Sequence, residues 1–93
     1  MAKVEWSEVA TRDVEAIHDH IALDKPLAAA AFAAALVRLG DSLEDLPRRG
    51  RSVGGEMREL TAARPYILRY TYDLERDLVE ILAVWHGARD RLP

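Results

Sequence analysis

The sequence predicts an α+β two-layer domain: a short N-terminal strand, a helical hairpin, then a three-stranded antiparallel sheet. Three observations carry that prediction. In the first half, apolar residues recur at spacings of three and four, at Ala10, Val14, Ile17 and Ile21 and again at Phe32, Leu36, Leu39, Leu43 and Leu46. From Pro65 onward the period falls to two, with Tyr66, Leu68, Tyr70 and Tyr72 alternating against Ile67, Arg69 and Thr71. Pro47 and Gly50 stand between the two regimes. A chain of 93 residues supports one modest core, so residues 1–93 are read as a single domain.

The elements follow in order. Lys3 to Trp6 reads as the first strand. Ser7 supplies an N-cap for a helix running to about Leu23. Glu8, Arg12, Glu15 and Asp19 fall opposite its apolar stripe, with Glu8 and Arg12 spaced as an i, i+4 pair. Pro26 suits the first turn of a second helix, expected to reach about Asp45, because its missing N–H costs nothing there. The alanines at 28–31 and 33–35 permit the close backbone approach of a tight hairpin. Pro47 to Gly55 reads as a long irregular connection. Three extended segments come next, at Met57–Leu60, 65–72 and 78–86, with Asp73 to Asp77 as the last turn. In 78–86, Val79, Ile81, Ala83 and Trp85 alternate with Leu78, Glu80, Leu82, Val84 and His86. Apolar residues on both faces mark a central strand.

Composition excludes several classes of function. The chain has no cysteine, so no disulfide framework, thiolate nucleophile or thiolate metal site is available. Glu5, Glu8 and Arg12 stand where a signal peptide needs an apolar run, and Leu27 to Val37 is short and alanine-rich for a bilayer span. The expectation is a cytoplasmic domain with no membrane partner. His18 and His20, at i and i+2 on a helix, face different directions, so no metal site is expected. Gly50, Gly54 and Gly55 lack the Lys-Ser/Thr pair of a phosphate-binding loop, and Ser7, Ser42 and Ser52 lack a nucleophile elbow. No cofactor is implied.

Charge is more informative. The net charge of −3 divides into −5 over residues 1–46 (four basic, nine acidic) and +2 over residues 47–93 (nine basic, seven acidic). Every Lys/Arg position in the second half is arginine, whose planar fork suits bidentate contact with phosphate or carboxylate. That pattern points to a directed anionic contact, against the alternative of solvated loops and surface ion pairs. His86 closes the last strand, followed by Gly87 and Arg89, with Arg58, Arg64 and Arg69 expected on or beside the same sheet. A histidine among arginines has the chemistry of RNA cleavage: a base for the 2′-hydroxyl and cations for the phosphate charge that builds up. The alternative is that His86 merely ends the strand and Arg89 pairs with an acid.

The order of elements resembles the RelE/ParE family of small bacterial toxins. The matching features are Pro26, Ala28 and Ala29 opening the second helix and the Leu46-Pro47…Gly50-Arg51 exit. Arg58-Glu59-Leu60, Pro65-Tyr66-Ile67…Tyr70 and His86-Gly87-Ala88-Arg89 complete the pattern. The resemblance implies a RelE/ParE-like fold and the toxin of a type II toxin–antitoxin system. It also implies a cognate antitoxin that wraps and neutralises the toxin, and operator DNA contacted only through that antitoxin. RelE-like members cleave messenger RNA in the ribosomal A site, and ParE-like members poison DNA gyrase. The arginine usual within the Tyr-Arg-Leu-Val-Tyr-type motif of RNA-cleaving members corresponds to Ile67, and an isoleucine cannot stabilise a phosphorane-like charge. No lysine follows Lys25, and little room remains after His86 for a terminal catalytic helix. These departures favour the ParE-like branch. The expectation is a gyrase-binding toxin, non-enzymatic or at least not self-sufficiently catalytic, contacting its target through Arg58, Arg64, His86 and Arg89. The first alternative is a ribosome-dependent mRNA endonuclease, with His86 as base and Arg58 and Arg89 on the phosphate. The second is an inactive scaffold that binds only an antitoxin.

Overall fold

A computed structural model describes residues 1–61 and 64–87. In chain order these form β1 (Lys3–Trp6), α1 (Glu8–Ala22), α2 (Pro26–Asp41), β2 (Arg51–Gly54), β3 (Met57–Leu60), β4 (Tyr66–Asp73) and β5 (Leu78–His86). A short 3-10 turn, Ser42–Glu44, follows α2. The helices form one layer and the strands the other.

Sequence chemistry explains the helices. The Ser7 hydroxyl accepts a hydrogen bond from the Ala10 N–H at 3.0 Å, satisfying one of the orphan amides of the first turn. The same hydroxyl donates to the Leu82 carbonyl at 3.1 Å, tying the start of α1 to β5. Glu8 and Arg12 form the expected i, i+4 ion pair. Ala10, Val14 and Ile17 are buried, as the stripe requires. Pro26 opens α2, whose buried residues are Ala29, Leu36 and Gly40. By length and composition alone Pro26–Glu44 could cross a bilayer, although the apolar stretch within it reads as too short. Its Leu36 and Leu43 instead join the core cluster. The α2 helix stops at Asp41 rather than near Asp45. Leu46 therefore leaves the apolar stripe and is 61% exposed.

The predicted α+β two-layer class holds, but the sheet is larger than expected. It has five strands, in the order β1-β5-β4-β3-β2, instead of a separate N-terminal strand and a three-stranded sheet. Two elements account for the difference. β1 pairs in parallel with the first half of β5, from Lys3↔Leu78 to Trp6↔Ile81. Part of the expected irregular connection is β2, which makes a hairpin with β3. Gly54 and Gly55 carry φ values of +123° and +56°, which side chains with a Cβ resist, and so make the turn of that hairpin.

The period-two reading of β4 holds: Tyr66, Leu68 and Tyr70 are buried toward the helices, and Ile67, Arg69 and Thr71 take the other face. In β5 strict alternation fails. The register moves from Arg69↔Ala83 to Tyr70↔Ile81, leaving Leu82 as an extra residue. That bulge puts Val84 on the helix side with Val79 and Ile81, all three buried. β5 lies between β1 and β4, as its two-sided apolar character predicts.

Candidate functional site

The sheet face opposite the helices carries a polar ladder. Register aligns Arg51 with Glu59 and Glu59 with Arg69 across β2, β3 and β4. Glu59 is the buried charged residue among the described residues, its side chain only 7% exposed. One carboxylate oxygen accepts from Arg51 at 3.2 Å, and the other accepts from Arg69 Nε at 3.1 Å. Arg69 also lies over the Trp85 ring, 5.0 Å from its centroid. Ile67, opposite Trp85, extends this face toward the end of β5. The carboxylate and the stacked indole thus fix one guanidinium in place and partly neutralise it.

A second feature lies where β5 outruns β1. Beyond Ile81 the β1 side of β5 meets α1 instead of a strand, and the Val84 N–H donates to the Asp13 carboxylate at 2.9 Å. Two adjoining cavities, of about 300 and 340 Å³, open there and share His20, Tyr66 and His86. The aromatic rings form a file: Phe32 meets Tyr66 edge-on at 5.4 Å and Tyr66 meets His86 at 5.3 Å. A third cavity of about 450 Å³, lined by Arg64, Pro65, Tyr66 and Gly87 among others, also borders Tyr66. The Gly87 N–H donates to the Pro65 carbonyl at 2.9 Å and closes this end of the hairpin.

The expected contact residues are thus placed differently from one another. His86 and Arg64 share the Tyr66 end of the β4–β5 pair. Arg58 lies elsewhere, with Nη1 donating to the carbonyls of Gly50 at 2.8 Å and Arg48 at 3.3 Å. Arg58 pairs with Tyr70, and His86 pairs with Tyr66 four residues further along β4. Strand spacing and rise put the Arg58 and His86 backbones roughly 16 Å apart, too far to grip one phosphate without long reach. Arg89 lies outside the described residues.

Sequence reading noted Arg69 only as a neighbour, and placed Arg51 and Glu59 only in the family pattern and Trp85 only in the strand alternation, with no site role. A signal was present: Glu59 stands inside the extended segment Met57–Leu60, and an acid inside a sheet calls for a cationic partner on the next strand. Among the described residues no group of three histidine or acidic side chains could hold a metal ion.

Comparison with known proteins bears on the whole chain. The family profile described as "ParE toxin of type II toxin-antitoxin system, parDE" matches residues 4–91. Toxin RelE2 of Caulobacter vibrioides is 40% identical over 89 residues, covering 96% of this chain and 99% of that protein. Toxin RelE1 of the same organism is 38% identical over 69 residues, covering 71% of this chain and 72% of that protein. Among solved structures, a chain of the chromosomal ParDE system from P. aeruginosa superposes with a TM-score of 0.79 at 23% identity. That match covers 92% of this chain and 96% of the other, and at this identity it speaks to the fold.

Proposed function

The chain belongs to the ParE toxin family of type II toxin–antitoxin systems, and from that premise we propose that it arrests growth in the cytoplasm by binding and inhibiting DNA gyrase. The observation that carries the choice is the state of the sheet-face arginines. Glu59 engages Arg69 and Arg51 together, so that face offers a partly neutralised ladder, one carboxylate against two guanidiniums, in place of bare guanidiniums around a scissile phosphate. Ile67 stands on the same face where the resemblance implied an arginine in RNA-cleaving relatives. The separation of Arg58 from His86 supports the same reading. Binding energy, not bond cleavage, is then the source of the effect.

Within this reading Arg64 and His86 contact the target from the Tyr66 end of the sheet, and Arg58 holds the 48–50 segment in place. The partner that neutralises the toxin is an antitoxin, and the helical hairpin offers it an apolar flank. Leu23 and Leu27 are 82% and 90% exposed there, followed by the alanines of α2. Operator DNA would be reached only through that antitoxin.

The rival is a ribosome-dependent mRNA endonuclease. The names of the two Caulobacter relatives favour it, as does the grouping of His86, His20 and Tyr66 in adjoining cavities. Induction without an antitoxin separates the two. Gyrase inhibition predicts filamentous cells and failed supercoiling by purified gyrase, with Arg64→Ala and His86→Ala restoring growth while Arg58→Ala chiefly lowers stability. Cleaved transcripts on ribosomes together with intact supercoiling would overturn the proposal.

A further inference from the structure

Two exposed large apolar side chains converge from different parts of the chain. Leu46, beyond the end of α2, is 61% exposed, and Leu74, in the β4–β5 turn, is 62% exposed. Both line a groove of about 520 Å³ whose remaining walls include Pro47 and Tyr72. An apolar groove of this size left open to water normally marks a contact.

Its walls are held. The Tyr72 hydroxyl donates to the Asp77 carboxylate at 2.6 Å, which sets the ring. The Tyr70 hydroxyl donates to the Pro47 carbonyl at 2.8 Å from inside the core. Arg49 reaches Ser42 Oγ at 3.3 Å. The Arg48 guanidinium, at the rim, has no hydrogen bond or ion pair among the described residues. Among the lining residues two adjacent arginines stand against Asp45, while the nearby carboxylates of Asp77 and Asp73 are engaged by the Tyr72 hydroxyl and by Arg76.

We propose that this groove docks an extended segment of a partner protein, in which an apolar side chain is followed by carboxylates. The apolar side chain fills the space between Leu46 and Leu74, and the carboxylates meet Arg48 and Arg49, which suit them as planar, permanently charged donors. Size selects the occupant. Seven residues line the groove, whereas a stable contact between folded domains uses about 20–30 residues a side. A second copy of this chain is therefore held poorly, while one anchored side chain with its flanking acids fits. The proposal goes beyond the reading of the target and holds whichever target the toxin takes.

The test uses the full chain and a fluorescein-labelled short peptide carrying a leucine followed by glutamates. Anisotropy should report saturable binding that weakens with salt and falls at least about tenfold in Leu74→Ser and in Arg48→Glu. Both positions are exposed, and circular dichroism checks that each variant folds. Exchanging the glutamates for lysines, or the leucine for serine, should abolish binding. No saturable binding, equal binding of the lysine peptide, or indifference to both variants would overturn the proposal. A monomer–dimer equilibrium in sedimentation that Leu74→Ser removes would assign the groove to a second copy and would overturn it too.

Discussion

Tyr70→Phe removes one oxygen atom from the place where helix layer, sheet and arginine-rich segment meet. Tyr70 is fully buried in the middle of β4. Its hydroxyl donates to the Pro47 carbonyl at 2.8 Å and accepts from the Gly50 N–H, also at 2.8 Å. The fit admits no substitute, because a Cβ on Gly50 would lie 2.8 Å from both the hydroxyl and the Glu59 carbonyl. Phenylalanine keeps the ring but leaves the buried Gly50 N–H without its acceptor, at a cost of about 1–3 kcal/mol. The Pro47 carbonyl, nearer the surface, adds less, so the loss should be about 2–3 kcal/mol. With a urea m-value of about 1–2 kcal/mol/M for a domain of this size, the midpoint should fall by roughly 1–3 M.

Alkaline pH gives an independent readout of the same side chain. Burial raises the Tyr70 pKa above its usual 10.0, outweighing the Gly50 N–H and the nearby Arg58 and Arg49, which pull it down. The unfolded chain loses this proton near pH 10 while the folded chain keeps it, so the unfolded state binds fewer protons and gains. Stability that is complete below pH 10 should therefore decline as pH rises toward the folded-state pKa, Tyr70 contributing at most about 1.4 kcal/mol per pH unit. Tyr72 is shifted the same way by its hydrogen bond to Asp77, so part of the slope survives in the variant. An unchanged urea midpoint for Tyr70→Phe, or an alkaline slope equal to that of the parent chain, would refute the reasoning.

Two further substitutions test packing and charge. Gly40→Ala should destabilise by about 1–3 kcal/mol despite the better helix propensity of alanine. The new Cβ would sit 2.4 Å from Trp6 Cζ2 and 2.7 Å from Ile81 Cδ1, and the indole is tethered to Asp41 at 3.0 Å. Urea unfolding followed by circular dichroism measures this, and a stabilised variant would mean that Trp6 moves freely. Glu59→Gln should cost about 1–3 kcal/mol, because Arg69 then has no counterion in a site where it is only 27% exposed. Tryptophan fluorescence should change with it as Arg69 shifts over Trp85, and unaltered stability and emission together would count against the ladder as an organising element.

Much of the fold was legible because local chemistry and tertiary packing agree along most of the chain. The Ser7 cap, the α1 stripe and the β4 alternation are each written in adjacent residues, and each appears where local rules put it. What sequence could not supply was non-local. Parallel pairing of β1 with β5 joins residues from opposite ends of the chain, and no local pattern encodes it. β2 was hidden because Arg51 to Gly54 has almost no apolar face of its own and becomes a strand through its hairpin with β3. The Leu82 bulge defeated the alternation count in β5 for a related reason, since one inserted residue swaps every later side chain to the other face.

The arginines show the same limit and lead to a last step. Sequence gives their number and position, but not which are already engaged inside the fold. Arg58 is taken up by backbone carbonyls, and Arg69 by Glu59 and Trp85. Arg48 and Arg64 have neither a hydrogen bond nor an ion pair among the described residues. Arg48 lies beside Tyr72 and Arg64 beside Tyr66. Six residues of extended strand put these two places roughly 20 Å apart along β4. At that distance substitutions are independent. If the Tyr66 end meets the target and the Leu46–Leu74 groove holds a different segment, Arg64→Ala should reduce toxicity without touching peptide binding, and Arg48→Glu should do the reverse. The combination should show the sum of the two effects, whereas a single shared contact surface would make each substitution impair both readouts.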